Sequence, residues 1–288
     1  MFIDGAWQTA ERMFDVLNPA DGAVLEQVGD GGAEDAERAV EAAHAAFPAW
    51  AGTTAYERSA ILMKAHRLML ERRDELARTM TLEQGKPLRA ATMEVGYGAD
   101  FLSWFAEEAK RVEGRTIPSA RRDQRFLAIR QPVGVVAAII PWNYPVSMIT
   151  RKLAPALAAG CTAVLKPAEA TPLTAIAMMK LFEAAGVPKG VVNLVTCSDP
   201  APVGEVLVSH PKVRKLTFTG STAVGKMLAG KAASHMKRVS CELGGHAPFL
   251  VFEDADPVHA AKGVQLVKFL NTGQACISPN RIFVHRSN

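Results

Sequence analysis

Nowhere in these 288 residues does an apolar run approach the roughly 20 residues that cross a bilayer, so no membrane partner is expected. The start, MFIDGAWQTAERM, has no basic region followed by an apolar core; no signal peptide is expected, and a cytoplasmic setting fits. Cysteine is scarce: Cys161, Cys197, Cys241 and Cys276 are widely spaced, with no CxxC pair. That excludes a disulfide framework and argues against a zinc site, so no metal is expected and each thiol is free in a reducing compartment. No charge sign dominates. The 33 basic and 29 acidic residues are interspersed and leave a formal charge of only +4. Nucleic-acid binding would need a broad basic stripe. The short cluster Arg121, Arg122, Arg125 and Arg130 reads instead as a solvated hairpin face. Low-complexity blocks, internal repeats and flexible linkers are absent too. What is present is 49% hydrophobic and 22% charged residues, a globular composition able to bury a substantial core in one large or two ordinary domains.

The first hundred or so residues read mostly as helix. AEDAERAVEAAHAAF and AYERSAILMKAHRLMLERRDELARTM are rich in helix formers and place apolar residues at three- and four-residue spacing. Gly and Pro in EQGKP (83–87) break the pattern, and another helix is expected from about Ala90 to Val112. The stretch RTIPSARRDQRFLAIRQPVG reads as an extended hairpin turning near 120–124. From Val133 onward short apolar strands alternate with helical crossovers. The fold class expected is therefore α/β, with a Rossmann-like parallel sheet covered on both faces. Ligands of such sheets sit at the carboxyl ends of the strands, and that is where the informative residues fall.

After VVAAII come Pro141, Trp142, Asn143, Tyr144 and Pro145. Two prolines set a tight strand-to-helix turn that aims the Asn143 amide, a neutral donor, at the ligand edge. Asn143 could equally cap the next helix. After TAVL, the Lys166 ammonium and Glu169 carboxylate stand three apart, a pair suited to ribose hydroxyls; a surface ion pair is the plain alternative. After KLTFT, Gly220, Ser221 and Gly225 open a helix whose N–H groups could hold phosphate, although the run is not GxGxxG and a simple N-cap explains it as well. Glu242 precedes Leu243, Gly244 and Gly245, and a displayed carboxylate there could serve as a general base or be a solvated turn residue. Cys276 needs activation, since an ordinary thiol titrates near about 8.5. Nearby amide donors could stabilise its thiolate and a later oxyanion. Each signal is modest, but all five fall in order at strand ends of one expected sheet or in the loop after it.

In their order and separations, PWNYP, LKPAEATP, FTGSTAVG, CELGG and NTGQAC resemble the motifs of the aldehyde dehydrogenase superfamily, and FIDGAW and NPADGAV resemble its beginning. The resemblance implies that the Cys276 thiolate attacks an aldehyde carbon, that the Asn143 amide and the Cys276 N–H hold the oxyanion, and that hydride passes to a nicotinamide. Glu242 would then activate the water that releases the acid. It further implies that Lys166 and Glu169 hold the adenosine ribose, that Pro141 and Trp142 line the cofactor cleft, and that Gly220, Ser221, Gly225, Leu243 and Gly244 surround the dinucleotide. Glu169 favours NAD over NADP, which remains possible.

The stretch from PWNYP to LKP is most similar to the succinate-semialdehyde dehydrogenase branch. Arg151, eight residues after Asn143, lies where that branch binds the distal carboxylate of its substrate, a charge-assisted bond; a solvated helix arginine is the alternative. Leu270 stands where a second arginine is often found, and Ser278 where some members carry a second cysteine. A related semialdehyde or a broader aliphatic aldehyde stays open. The resemblance further implies a homodimer or homotetramer, a cofactor domain over residues 1–245, an oligomerisation hairpin over 115–132 and the opening of a catalytic domain over 246–288. Family members continue well beyond this length. The expectation is therefore a C-terminally truncated chain that oxidises aldehydes poorly or not at all by itself. A coenzyme-A-acylating dehydrogenase and a catalytically silent protein of the same fold are the competing readings; Glu242 argues against the first, and intact Asn143, Glu242 and Cys276 against the second.

Overall fold

The computed structural model describes residues 1–288. Four short strands open the chain: β1 (Phe2–Ile3), β2 (Ala6–Trp7), β3 (Met13–Leu17) and β4 (Val24–Gly29). Four helices follow: α1 (Ala33–Ala51), α2 (Ala55–Glu71), α3 (Arg73–Gln84) and α4 (Leu88–Glu108). The first hundred residues are thus mostly helical, as expected, with four short strands ahead of the helices. The exposed antiparallel hairpin β5 (Arg115–Ile117) and β6 (Phe126–Ala128) comes next, paired Thr116 to Leu127.

The alternating part runs β7 (Val135–Ile139), α5 (Pro145–Ala158), β8 (Thr162–Lys166), α6 (Pro172–Ala185), β9 (Val192–Leu194), α7 (Pro200–Ser209), β10 (Val213–Gly220), α8 (Thr222–Ser234) and β11 (Arg238–Leu243). The sheet order is β11-β10-β7-β8-β9-β1-β2. Strands β11 to β9 are parallel, as expected, and β1 and β2 add an antiparallel edge. Both faces of β7, β8 and β9 are covered, so these strands are buried throughout rather than alternating, while β10 and β11 toward the edge carry exposed polar residues. Val136 and Ala138 of β7 enter the core beneath α2, α4, α5 and α6, while Val135, Ala137 and Ile139 enter the core beneath α1 and α7.

From β7 the chain steps to β8 and β9 on one side, then returns to place β10 and β11 on the other. The carboxyl ends of β7 and β10 therefore flank the point where strand order reverses, the crevice in which doubly wound sheets bind ligands. Beyond Leu243 the chain leaves this sheet. Strand β12 (Pro248–Val251), helix α9 (Pro257–Lys268) and strand β13 (Arg281–Val284) follow, and β12 pairs in parallel only with β13. Asp256 caps α9 by accepting from the His259 N–H at 2.7 Å.

Candidate active site

The turn between β7 and α5 carries Asn143. Its side chain does not cap α5; the N-cap is Tyr144, and no side chain bonds there. Instead the Asn143 amide donates across the crevice to the Gln274 carbonyl at 2.7 Å. A primary amide has two N–H groups, so one is left for a ligand. The plain alternative for Asn143 is thereby set aside.

The loop bearing Cys276 is shaped by three successive residues in left-handed backbone: Asn271 (φ 52°), Thr272 (φ 58°) and Gly273 (φ 81°). Only the last is free of side-chain strain there. Asn271, 4% exposed, is anchored by donating to the Asn143 carbonyl at 2.8 Å, which holds the loop against the turn after β7. The thiol of Cys276 is half-buried, and its N–H meets no acceptor within the chain. Ser278 is buried, and its hydroxyl donates to the Lys268 carbonyl at 3.1 Å.

Two clefts meet at Cys276. The first, about 360 Å³, brings Cys276 together with Pro141, Trp142, Asn143, Gly220, Ser221, Glu242, Leu243 and Gly244. Eight residues singled out in the sequence thus share one wall with the thiol. Glu242 is exposed and lies within β11, one residue from its end, rather than at a bend after it. The second cleft, about 400 Å³, is lined mainly by apolar groups. It joins Cys276 to Arg151, Leu270 and Ile277. Arg151 is not a freely solvated helix residue. Its guanidinium donates to the Tyr97 hydroxyl at 2.7 Å and lies 5.1 Å from the centre of the Phe101 ring.

Lys166 and Glu169 form an ion pair at the end of β8, with Lys166 buried and Glu169 partly open to solvent. They lie outside the first cleft, two strands from β10 in the sheet. Ser221 caps α8, its hydroxyl accepting from the Val224 N–H at 3.3 Å. The Thr222 and Ala223 N–H groups then have no intrahelical acceptor, at the positive end of the helix. A Cβ at Gly225 would lie 2.3 Å from Leu243 Cδ2, so glycine there lets α8 close onto β11. A helix N-terminus, a ribose-type ion pair and an exposed indole at Trp142 along one sheet edge suit an extended dinucleotide.

A model of the aldehyde dehydrogenase family matches residues 7–288. The chain belongs to the aldehyde dehydrogenase family. Among its relatives, 3-sulfolactaldehyde dehydrogenase of Pseudomonas putida is 54% identical over 285 residues, covering 98% of this chain and 58% of that protein. The NADP-dependent succinate-semialdehyde dehydrogenase GabD of Escherichia coli is 53% identical over 284 residues, covering 98% and 59%. A crystal structure of an NADP-dependent enzyme of E. coli superposes with a TM-score of 0.97 at 52% identity, covering 99% of this chain and 60% of that one. This aldehyde dehydrogenase chain spans under two thirds of each relative's length.

Sequence reasoning missed the buried charged residues among the helices. Lys86 and Glu94 form an ion pair with side chains 0% and 2% exposed. Glu83, also buried, accepts from the Leu173 and Thr174 N–H groups at 2.7 and 2.8 Å and so caps α6. Burial pushes its carboxyl up to about 7, against the pull of these donors. Lys152 is buried as well, and desolvation, then Arg151, brings its ammonium down to about 8. One signal was available. Glu94 interrupts the apolar stripe Ala91, Val95, Ala99 and Leu102 of α4, and a carboxylate on such a stripe calls for a buried partner.

Proposed function

We propose that this chain supplies the cofactor crevice and the nucleophile of an enzyme that oxidises an aldehyde with a distal anionic group to its acid, without coenzyme A. The observation carrying this reading is the position of Cys276 on the wall common to two clefts. One cleft holds an amide donor, a carboxylate and a capped helix N-terminus, and the other holds an arginine.

On this reading the Cys276 thiolate adds to the aldehyde carbon, and the carbonyl electron pair moves onto oxygen. The free N–H of the Asn143 amide and the Cys276 N–H stabilise that oxyanion. Bound NAD or NADP supplies the hydride acceptor. As the carbonyl re-forms with loss of hydride, a thioester is left on Cys276. Glu242 takes a proton from water, the resulting hydroxide attacks the thioester, and the Cys276 thiolate departs as the acid is released. Lys166 and Glu169 hold the adenosine ribose. Glu169 disfavours a 2′-phosphate by charge, which makes NAD the preferred dinucleotide. Arg151 takes the distal anion. This fits a sulfonate-bearing substrate name and a carboxylate-bearing one among the relatives. Residues 1–245 form the cofactor domain, 115–132 an oligomerisation hairpin in a homodimer or homotetramer, and 246–288 the opening of the catalytic domain.

The test is to trap the acyl intermediate. Oxidation by this chain alone is expected to be slow, so the readout is a long incubation with succinate semialdehyde and NAD, in which Glu242→Gln is expected to form at most one NADH per chain with a thioester on Cys276, visible by intact mass. The unsubstituted chain is expected to clear the thioester as succinate in water. Clearance only on addition of coenzyme A would favour acylating chemistry, and an unmodified Cys276 would overturn the proposal.

A further inference from the structure

The end of α3 and the turn that follows it, residues 83–87, reach both halves of the site. We propose that Gln84, Lys86 and Glu94 act as a positioning clamp that fixes the Asn143 amide relative to the Cys276 loop. The inference rests on the reading of Asn143 as oxyanion donor and Cys276 as nucleophile.

Lys86 Nζ is bonded to Glu94 Oε2 and donates to the Asn143 carbonyl at 2.8 Å. It also lies 4.5 Å from the centre of the Tyr144 ring. The other carboxylate oxygen, Glu94 Oε1, accepts from the Val146 and Ser147 N–H groups at 3.0 and 3.1 Å. One ion pair therefore pins the backbone on both sides of Tyr144 and Pro145. The same Asn143 carbonyl accepts from Asn271 Nδ2 at 2.8 Å, so the nucleophile loop is tied to the point that Lys86 holds. Gln84 completes the link. Its Oε1 accepts from the Lys86 N–H at 3.0 Å, and its Nε2 donates to Gln274 Oε1 at 2.9 Å. Gln274 is the residue whose carbonyl takes the Asn143 amide.

Stability alone does not account for these charges. A buried ion pair costs desolvation, and apolar residues of similar volume often serve a core as well or better. What the pair adds is direction: hydrogen bonds of fixed geometry to one carbonyl and one helix start. Lys86 lines neither cleft, so it acts on the chemistry only through Asn143 and the loop.

Two reactions at Cys276 separate positioning from folding. Acylation by p-nitrophenyl acetate forms an S–C bond at a carbonyl, passes through an oxyanion and expels p-nitrophenolate. Alkylation by iodoacetamide forms an S–C bond at a saturated carbon, expels iodide and makes no oxyanion. The quantity read is the ratio of the two rates at Cys276, measured on the 288-residue chain. Loss of an oxyanion donor costs about 100-fold or more, so Asn143→Ala is expected to lower the ratio on that order. Lys86→Met is expected to lower it about tenfold through misplacement of the amide. Combining Lys86→Met with Asn143→Ala is expected to cost no more than Asn143→Ala alone, because both act on one group. Should Lys86→Met not fold, Lys86→Met with Glu94→Gln removes both charges together and carries the same expectation. If Asn143→Ala lowers the ratio while the Lys86 variants stay within about twofold of the parent, or if the losses multiply, the clamp is overturned and the functional reading stands. If Asn143→Ala leaves the ratio unchanged, the oxyanion reading itself falls, and the clamp with it.

Discussion

On the proposed function, Arg151 and Glu169 carry the choice of substrate and dinucleotide, and each can be separated from the chemistry at Cys276. Arg151 is already held by Tyr97 and Phe101, so its guanidinium loses little freedom on meeting an anion. A hydrogen bond to a charged group contributes about 1.5–3 kcal/mol. Arg151→Met is therefore expected to raise KM for an ω-carboxylate aldehyde by about 10- to 100-fold, and to leave an uncharged aldehyde of equal length nearly unchanged. Leu270 offers no second charge in that cleft, which keeps the expected effect on Arg151 alone. At Glu169 the charge opposes a 2′-phosphate, and Glu169→Ser is expected to shift the ratio of NAD to NADP affinity toward NADP by about tenfold or more, equivalent to about 1.4 kcal/mol. Titration of each dinucleotide by protein fluorescence reads it. The other thiols serve as internal controls. Burial pushes the Cys197 thiol up to about 11 and raises that of Cys161, so both are expected to stay unlabelled at pH 8 while Cys241, exposed, reacts.

Among the elements, the parallel strands were the most legible. β7, β8, β9 and β10 each read as an apolar run followed by a turn, and the residues after them mark the ligand edge. The opening strands were not legible for a physical reason. β1 and β2 are two residues each, and β3 and β4 mix exposed and buried residues without regular alternation, so none shows a sustained period. The stretch 83–87 read only as a break in helical pattern. Its content depends on partners about 60 to 190 residues away: Asn143 for Lys86, Thr174 for Glu83 and Gln274 for Gln84. No local window contains those pairs. Asn143, Ser221, Glu242 and Cys276 were legible because each lies within three residues of a glycine or proline, where the chain turns at or near the ligand edge. Glu83 yields a test at this scale. In the folded chain its carboxyl keeps its proton up to about 7, against about 4.3 when unfolded. The folded state then binds more protons between those values, so this contribution to stability is complete below about 4.3 and fades as pH rises through about 7. Melting temperature is expected to fall from pH 5 to 8, and Glu83→Gln to flatten that slope.

At the scale of the whole molecule, the seven-stranded sheet and its two covered cores contrast with the residues after Leu243. Helix α9 buries no residue, and Leu250, Phe252, Leu266, Phe269, Ile282, Phe283 and Val284 are all exposed. Apolar surface gathered this way promotes association. The 288-residue chain is expected to bind a hydrophobic dye and to self-associate at micromolar concentration. Phe252→Lys with Phe283→Lys is expected to reduce both, as read by dye fluorescence and light scattering. On the proposed function, the family motifs converge on Cys276 to make one activated, dinucleotide-dependent nucleophile. Brief exposure to a carbonyl electrophile, with each cysteine followed by peptide mass spectrometry with and without NAD, measures it directly. Labelling concentrated at Cys276 and accelerated by NAD is the predicted result; equal labelling of all accessible cysteines, indifferent to NAD, would contradict it.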